Sequence, residues 1–165
     1  MELIWLFAIP LLGGMLLALS GCQRFAPELN SLFSLGTLIA SIILAFRIVD
    51  GGPMVAFNEQ FFIDQFNVFL VTLTTFVSFT TSLFSRPYMR IEQHHGKLTN
   101  NMLRLYHSMY QMFTFTMLLA LTTNNLGLLW VAMEAATLST VLLVTLYRTP
   151  ASLEAGWKYF ILCGV

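Results

Sequence analysis

Five long apolar runs constrain what this chain can fold into: residues 3–21, 31–49, 61–84, 105–122 and 125–147, followed by the beginning of a sixth at 150–165. At about 1.5 Å of rise per helical residue, each complete run can cross most or all of the roughly 30 Å of hydrocarbon in a bilayer. A membrane β-strand would be about ten residues long and alternate in polarity. These runs are about twice that length and apolar all round, which predicts helices. Composition agrees, with 57% hydrophobic and 10% charged residues, against about 25% charged in a soluble domain. The expected fold class is all-α: a polytopic transmembrane helix bundle with five complete spans and the start of a sixth. Residues 1–165 are read as a single membrane domain whose solvent is the lipid bilayer.

The separators carry the breakers and charges: Arg24, Pro27 and Glu28; Asp50-Gly51-Gly52-Pro53; Arg86-Pro87; His94-His95-Gly96-Lys97; Arg148 and Pro150. Thr122 to Asn125 make a short polar turn, sufficient between antiparallel helices. Sorting the basic residues by separator puts Arg24, Arg86, Arg90, Lys97, Arg104, Arg148 and Lys158 on one side and Arg47 on the other. The positive-inside rule makes the first side cytoplasmic and places the amino terminus outside. Trp5 suits the outer interface, and Tyr88, Tyr147 and Trp157 the inner one. The chain carries eight basic and eight acidic residues, a balance that gives no reason to expect nucleic acid as a partner. Leu19-Ser20-Gly21-Cys22 resembles a lipoprotein processing site, but the early charge is the acidic Glu2, and a signal peptide needs a positive start. Cys22 and Cys163, near predicted helix ends, have neither metal-ligand spacing nor the look of a disulfide framework.

Glu134 is the leading candidate for chemistry, because it falls near the middle of the fifth run. A carboxylate at that depth costs at least about 2.5–3.5 kcal/mol to insert. It must face protein or water, find a partner, or take up a proton. Desolvation favours the neutral acid, which suits such a group to binding and releasing protons. Gly127, Trp130, Thr137 and Val141 share its helical face; Gly127 would allow close helix approach and Thr137 could hydrogen-bond the carboxyl group. Lys158 is a second candidate for proton translocation. If the sixth helix starts at Pro150, Lys158 lies about 12 Å along it; if it starts nearer Gly156, Lys158 snorkels to the surface. His107, near the cytoplasmic end of the fourth run, is a third candidate, since histidine titrates near neutral pH, but three residues after Arg104 it is expected at the surface. Asp64 is read as structural or interfacial, capping the third helix or holding a loop. The Ser/Thr-rich stretch after it is read as interhelical hydrogen bonding. No Gly-rich nucleotide loop, Cys cluster or haem-type histidine pair is present. No cofactor, metal or catalytic redox centre is therefore expected in this chain.

The stretch from Asn124 to Glu134, Asn-Asn-Leu-Gly-Leu-Leu-Trp-Val-Ala-Met-Glu, is followed by Tyr147-Arg148 and Trp157-Lys158-Tyr159-Phe160. Together with Asp64, the Ser/Thr-rich helix and Ser85-Arg86-Pro87-Tyr88-Met89, it resembles the antiporter-like membrane subunits of respiratory complex I and membrane-bound hydrogenases, most of all the hydrogenase-4 component F type. The resemblance implies a bacterial inner-membrane subunit that couples electron transfer elsewhere in a complex to translocation of protons or sodium. It implies as partners the other subunits of a membrane-bound hydrogenase or NADH dehydrogenase-like complex. In such subunits a glutamate on the fifth helix, matching Glu134, works with a lysine on the seventh, beyond Val165. The chain is therefore expected to be the N-terminal part of a longer subunit, unable to move ions alone. The alternatives are a stand-alone cation/proton antiporter subunit, or a scaffold that only assembles a complex.

Overall fold

Helix α1, Glu2–Ser20, buries Leu3, Leu6, Pro10, Gly13 and Leu17, a spacing of three to four that marks one face of an α-helix. The computed structural model describes residues 2–20, 25–96 and 98–164. Gly21, Cys22, Arg24 and Lys97, which entered the reading of helix ends and sidedness, lie outside the described residues. After α1 come α2 (Ala26–Gly51), a hairpin of β1 (Met54–Ala56) and β2 (Phe61–Ile63), α3 (Gln65–His94), α4 (Asn100–Thr122), α5 (Leu126–Val144) and α6 (Pro150–Gly164). The expected all-α architecture holds apart from this small antiparallel hairpin, in which Met54 pairs with Ile63 and Ala56 with Phe61.

Helix boundaries follow local chemistry. Pro27 sits in the first turn of α2, where its missing N–H costs nothing. Asp64 caps α3, its Oδ1 accepting from the Asn67 backbone N–H at 2.7 Å. Asn125 caps α5, accepting from Gly127 and Leu128 at 2.8 and 3.3 Å. The third apolar run was expected to be helical from residue 61, but residues 61–63 pair as a strand and the helix runs on to His94. Short apolar runs are ambiguous between strand and helix, and the turn from Phe57 to Glu59, with three consecutive positive φ angles, reverses the chain here. Asn124 N–H donates to Gln60 O at 2.7 Å and Asn125 Nδ2 to Gln60 Oε1 at 2.8 Å, which ties the hairpin to the α4–α5 turn.

Helix α4 is the central element, packed against α1, α2, α3 and α5, with α6 added on the far side of α5. By length and composition four helices can cross a membrane: α1 over Glu2–Leu19, and α2, α3 and α5 over their full lengths. Helix α4 has 23 residues but is less apolar, since it turns His107, Ser108, Gln111, Thr114 and Thr116 into the bundle. Helix α6 has 15 residues. The expected count of five complete spans therefore exceeds what helix length and composition alone support.

The interior and exterior have opposite characters from those of a water-soluble bundle. Buried positions of α2 include Asn30, Ser31, Ser34, Thr37 and Ser41, while Ile39, Ile42, Ile43 and Phe46 point outward. Gln111 Nε2 contacts Asn30 Oδ1 at 2.8 Å, Asn30 O at 3.1 Å and Ser34 Oγ at 3.0 Å. Ser41 and Thr75 hydroxyls meet at 2.7 Å, and Ser78 and Thr114 at 3.0 Å. One apolar cluster, including Leu6, Leu44, Ile48, Val71 and Leu118, closes this polar seam on the hairpin side. Another, of Met89, Leu98, Leu103 and Leu146, closes the opposite end. Helix α1 approaches α4 closely at Gly14, whose carbonyl accepts from Ser108 Oγ at 2.9 Å. A Cβ at Gly14 would lie 3.3 Å from Met112.

Removing Gln111 should expose the dependence on this seam. Gln111→Leu is expected to destabilise the bundle by about 1–3 kcal/mol, because Asn30 and Ser34 lose their donor in a buried site. Thermal unfolding of the detergent-solubilised protein would show this as a lowered Tm, and an unchanged Tm would contradict it.

Candidate functional site

Glu134 is the ninth of the nineteen residues of α5, about 12 Å from one end of the helix and 15 Å from the other. It is half-buried, while Trp130, Val131, Met133 and Leu138 around it are exposed. Its Oε1 would lie 3.7 Å from a Cβ built on Gly164, so the carboxylate faces α6 where that helix presents no side chain. Among the described residues Glu134 makes no hydrogen bond and no ion pair. Asp50, exposed at the end of α2, is likewise without a hydrogen bond or ion pair among the described residues, but four other helix-borne carboxylates are engaged. Glu2 pairs with Arg47, Glu28 with Arg86 (3.1 Å) and Arg90, and Glu154 with Lys158. Glu92 Oε2 accepts from Tyr147 OH at 3.3 Å.

Two expected neighbours do other work. Thr137 does not reach the carboxyl group; its hydroxyl donates to the Met133 carbonyl one turn back, at 3.1 Å, as threonine in a helix commonly does. Gly127 is not a point of close helix approach, since a Cβ there would meet Asn125 Oδ1 of the helix cap. The close approach is at Gly156 on α6, where a Cβ would press on the Thr145 side chain of α5.

Helix α6 begins at Pro150, which settles the start that the sequence left open and puts Lys158 about 12 Å along the helix. The two helices run antiparallel: Gly156 opposes Thr145, Tyr159 OH lies 3.3 Å from Thr140 Oγ1, and Gly164 opposes Glu134. Lys158 is thus level with residues near Thr140, about 9 Å along the axis from Glu134. Its ammonium is 2.5 Å from Glu154 Oε1, one turn earlier on α6, and both side chains are largely exposed. The structure therefore puts Lys158 and Glu134 on adjoining helices without joining them.

His107, expected at the surface, lies elsewhere and is only 1% exposed, because the face of α4 that carries it turns into the bundle. It shares a face with Gln111, one turn on, which bonds α2. Both His107 ring nitrogens, like Gln111 Oε1, are buried without a hydrogen-bond partner among the described residues. Asp64 is the α3 cap described above and has no contact role with the other three. Sequence reasoning missed the seam built by Asn30, Ser34 and Gln111, and the pairing of Glu28 with Arg86 and Arg90. The spacing of Asn30, Ser34, Thr37 and Ser41, three to four residues apart, was its available signal.

No family model matches the chain. The hydrogenase-4 component F homolog of Methylacidiphilum infernorum (isolate V4) is 47% identical to it over 156 residues, which is 94% of this chain and 32% of that relative. The chain thus spans about a third of the length of the curated relative it matches.

The register that sets Glu134 opposite Gly164 can be tested by crosslinking. Thr145 Cβ lies 3.8 Å from the Cβ position of Gly156, within the range of about 3.5–4.5 Å that a disulfide requires. Thr145→Cys/Gly156→Cys, in a Cys22→Ser/Cys163→Ser background, should form an intramolecular disulfide on mild oxidation, seen as a loss of two mass units. Two alkylatable thiols after oxidation would mean a different α5–α6 register.

Proposed function

We propose, from the premise that this chain is close in sequence to hydrogenase-4 component F, that it forms part of a proton-translocating membrane subunit of a hydrogenase-type oxidoreductase complex. Glu134 is the central proton carrier in this reading. The observation that carries the proposal is the position of that carboxylate, mid-way along α5, turned towards a glycine of α6 and without a salt bridge or hydrogen bond among the described residues. A carboxyl group fixed by an arginine would hold its charge; one left free of such a partner can exchange a proton.

Lys158, about two turns nearer the side expected to be cytoplasmic, is the group proposed to exchange protons with Glu134 through intervening water. To do so it must leave Glu154, one turn earlier on α6. His107, in the seam between α4 and α2, stands apart from this pair and is proposed as a second titratable site. The membrane arrangement proposed is the one the basic residues suggest, with α1 to α5 crossing, α6 entering as a sixth, and the amino terminus outside a bacterial inner membrane. Helix α4 crosses in this arrangement despite its polarity, because its neighbours cover its polar face. The ion is proposed to be the proton or sodium, and the partners the other subunits of the complex.

The test uses the complete subunit in its complex, reconstituted in vesicles. Glu134→Gln should leave electron transfer within about twofold of wild type and lower coupled proton uptake at least about tenfold, one unit of log rate or about 1.4 kcal/mol. Equal proton uptake per electron in wild type and variant would refute the assignment. A fall in recovered complex with unchanged uptake per electron would instead mark Glu134 as an assembly residue.

A further inference from the structure

The described lysine and arginine side chains divide unevenly. Arg47 pairs with Glu2, Arg86 and Arg90 with Glu28, and Lys158 with Glu154. Arg104 and Arg148 have no hydrogen-bonding or ion-pairing partner for their guanidinium groups among the described residues. These two line the same cavity, about 590 Å³, at the bundle end where α4 begins and α5 turns into α6. A guanidinium pair facing one space, each left without a carboxylate, is a site short of negative charge. Arg148 is held there at φ 50°, a left-handed conformation that is uncommon for a residue with a side chain.

The rest of the lining divides in two. Thr99 and Asn101 contribute polar groups, Ser108 is committed to the Gly14 carbonyl, and Ala18, Met102, Leu105 and Met109 contribute apolar surface running from α4 towards α1. A free anion would use only the first half. A ligand with an anionic head and a hydrocarbon body would use both. We propose that this cavity binds an anionic phospholipid, with its phosphate between Arg104 and Arg148 and the upper part of an acyl chain along Leu105 and Met109. Basic pockets between helices on the cytoplasmic side suit acidic headgroups, and this end of the bundle is the one where the basic residues gather. Binding here would fasten the α5–α6 turn to α1 and α4. It would act on the helix pair that carries Glu134 without touching that residue, and it does not depend on proton transport.

Native mass spectrometry of the complete subunit, purified in detergent, tests this, with equal amounts of dioleoylphosphatidylglycerol and dioleoylphosphatidylcholine as probes. The wild type should retain the glycerol lipid in preference to the choline lipid by on the order of tenfold. Arg104→Gln/Arg148→Gln should bring the two near parity, Arg104→Lys/Arg148→Lys should keep most of the preference, and Arg47→Gln should leave it unchanged. Met109→Trp, which fills the apolar half and alters neither charge, should lower retention of both lipids at least threefold. It decides the matter where the double glutamine variant does not fold. An unchanged preference in the double glutamine variant, or unchanged retention in Met109→Trp, overturns the proposal. So does thermal stabilisation by inorganic phosphate that equals that given by the glycerol lipid, which would make the site one for a free anion.

Discussion

Lipid offers no hydrogen bonds, and the arrangement of this bundle follows from that. Each backbone polar group within the hydrocarbon must be satisfied by the protein itself. Backbone groups are satisfied by helix formation. Side chains are satisfied in two ways. Hydroxyls such as Thr72, Thr80 and Ser82 turn back to carbonyls of their own helix, and others meet across helices, as Ser41 does with Thr75 and Gln111 with Asn30. Packing between helices then needs no large apolar core. Small and polar residues fill the interior, and leucine, isoleucine and phenylalanine can be spent on the outside, where the solvent matches them.

Glu134 gains its significance against that background. Glu2, Glu28, Glu92 and Glu154 are met by arginine, lysine or tyrosine, and many mid-bundle polar groups by amides and hydroxyls, although His107 and Asp50 have no such partner among the described residues. Glu134, mid-way along its helix, is left out of both schemes among the described residues. The nearest candidate, Thr137, is committed to Met133. The side of α6 that opposes the carboxylate is a glycine, which can neither donate from a side chain nor crowd it.

Much of the helix pattern was legible because length and polarity are local properties. The breakers at Pro27, Gly52 and Pro150 mark real helix ends, and Asp64 and Asn125 cap the helices that follow them. The hairpin was not legible, because Phe61-Phe62-Ile63 reads equally well as the start of the next apolar run; what decides it is pairing with Met54–Ala56 across a turn. The location of Glu134 within its helix was legible for the same local reason, but its surroundings were not. A helical face shows which residues share a side and not whether another helix lies opposite, so Thr137 and Gly127 were natural but mistaken companions. The pairing of Glu28 with Arg86 and Arg90 spans about sixty positions and leaves no periodic trace in the sequence.

The contact between α5 and α6 joins these threads. Gly156 and Gly164 are eight residues apart, so they lie on one face of α6. At Gly156 the missing side chain lets the helices approach until Thr145 is in contact; at Gly164 the same absence leaves space beside Glu134. Two glycines on one stripe thus do different jobs. The first fixes the separation and register of the helix pair, and the second leaves the carboxylate facing backbone, where an added methyl would rest in ordinary van der Waals contact. A larger residue at 156 would move both helices apart and change what faces Glu134 two turns away, although it touches nothing near the carboxyl group. What faces the carboxylate is in this sense determined at a packing contact, and the residues that position it extend beyond its immediate neighbours.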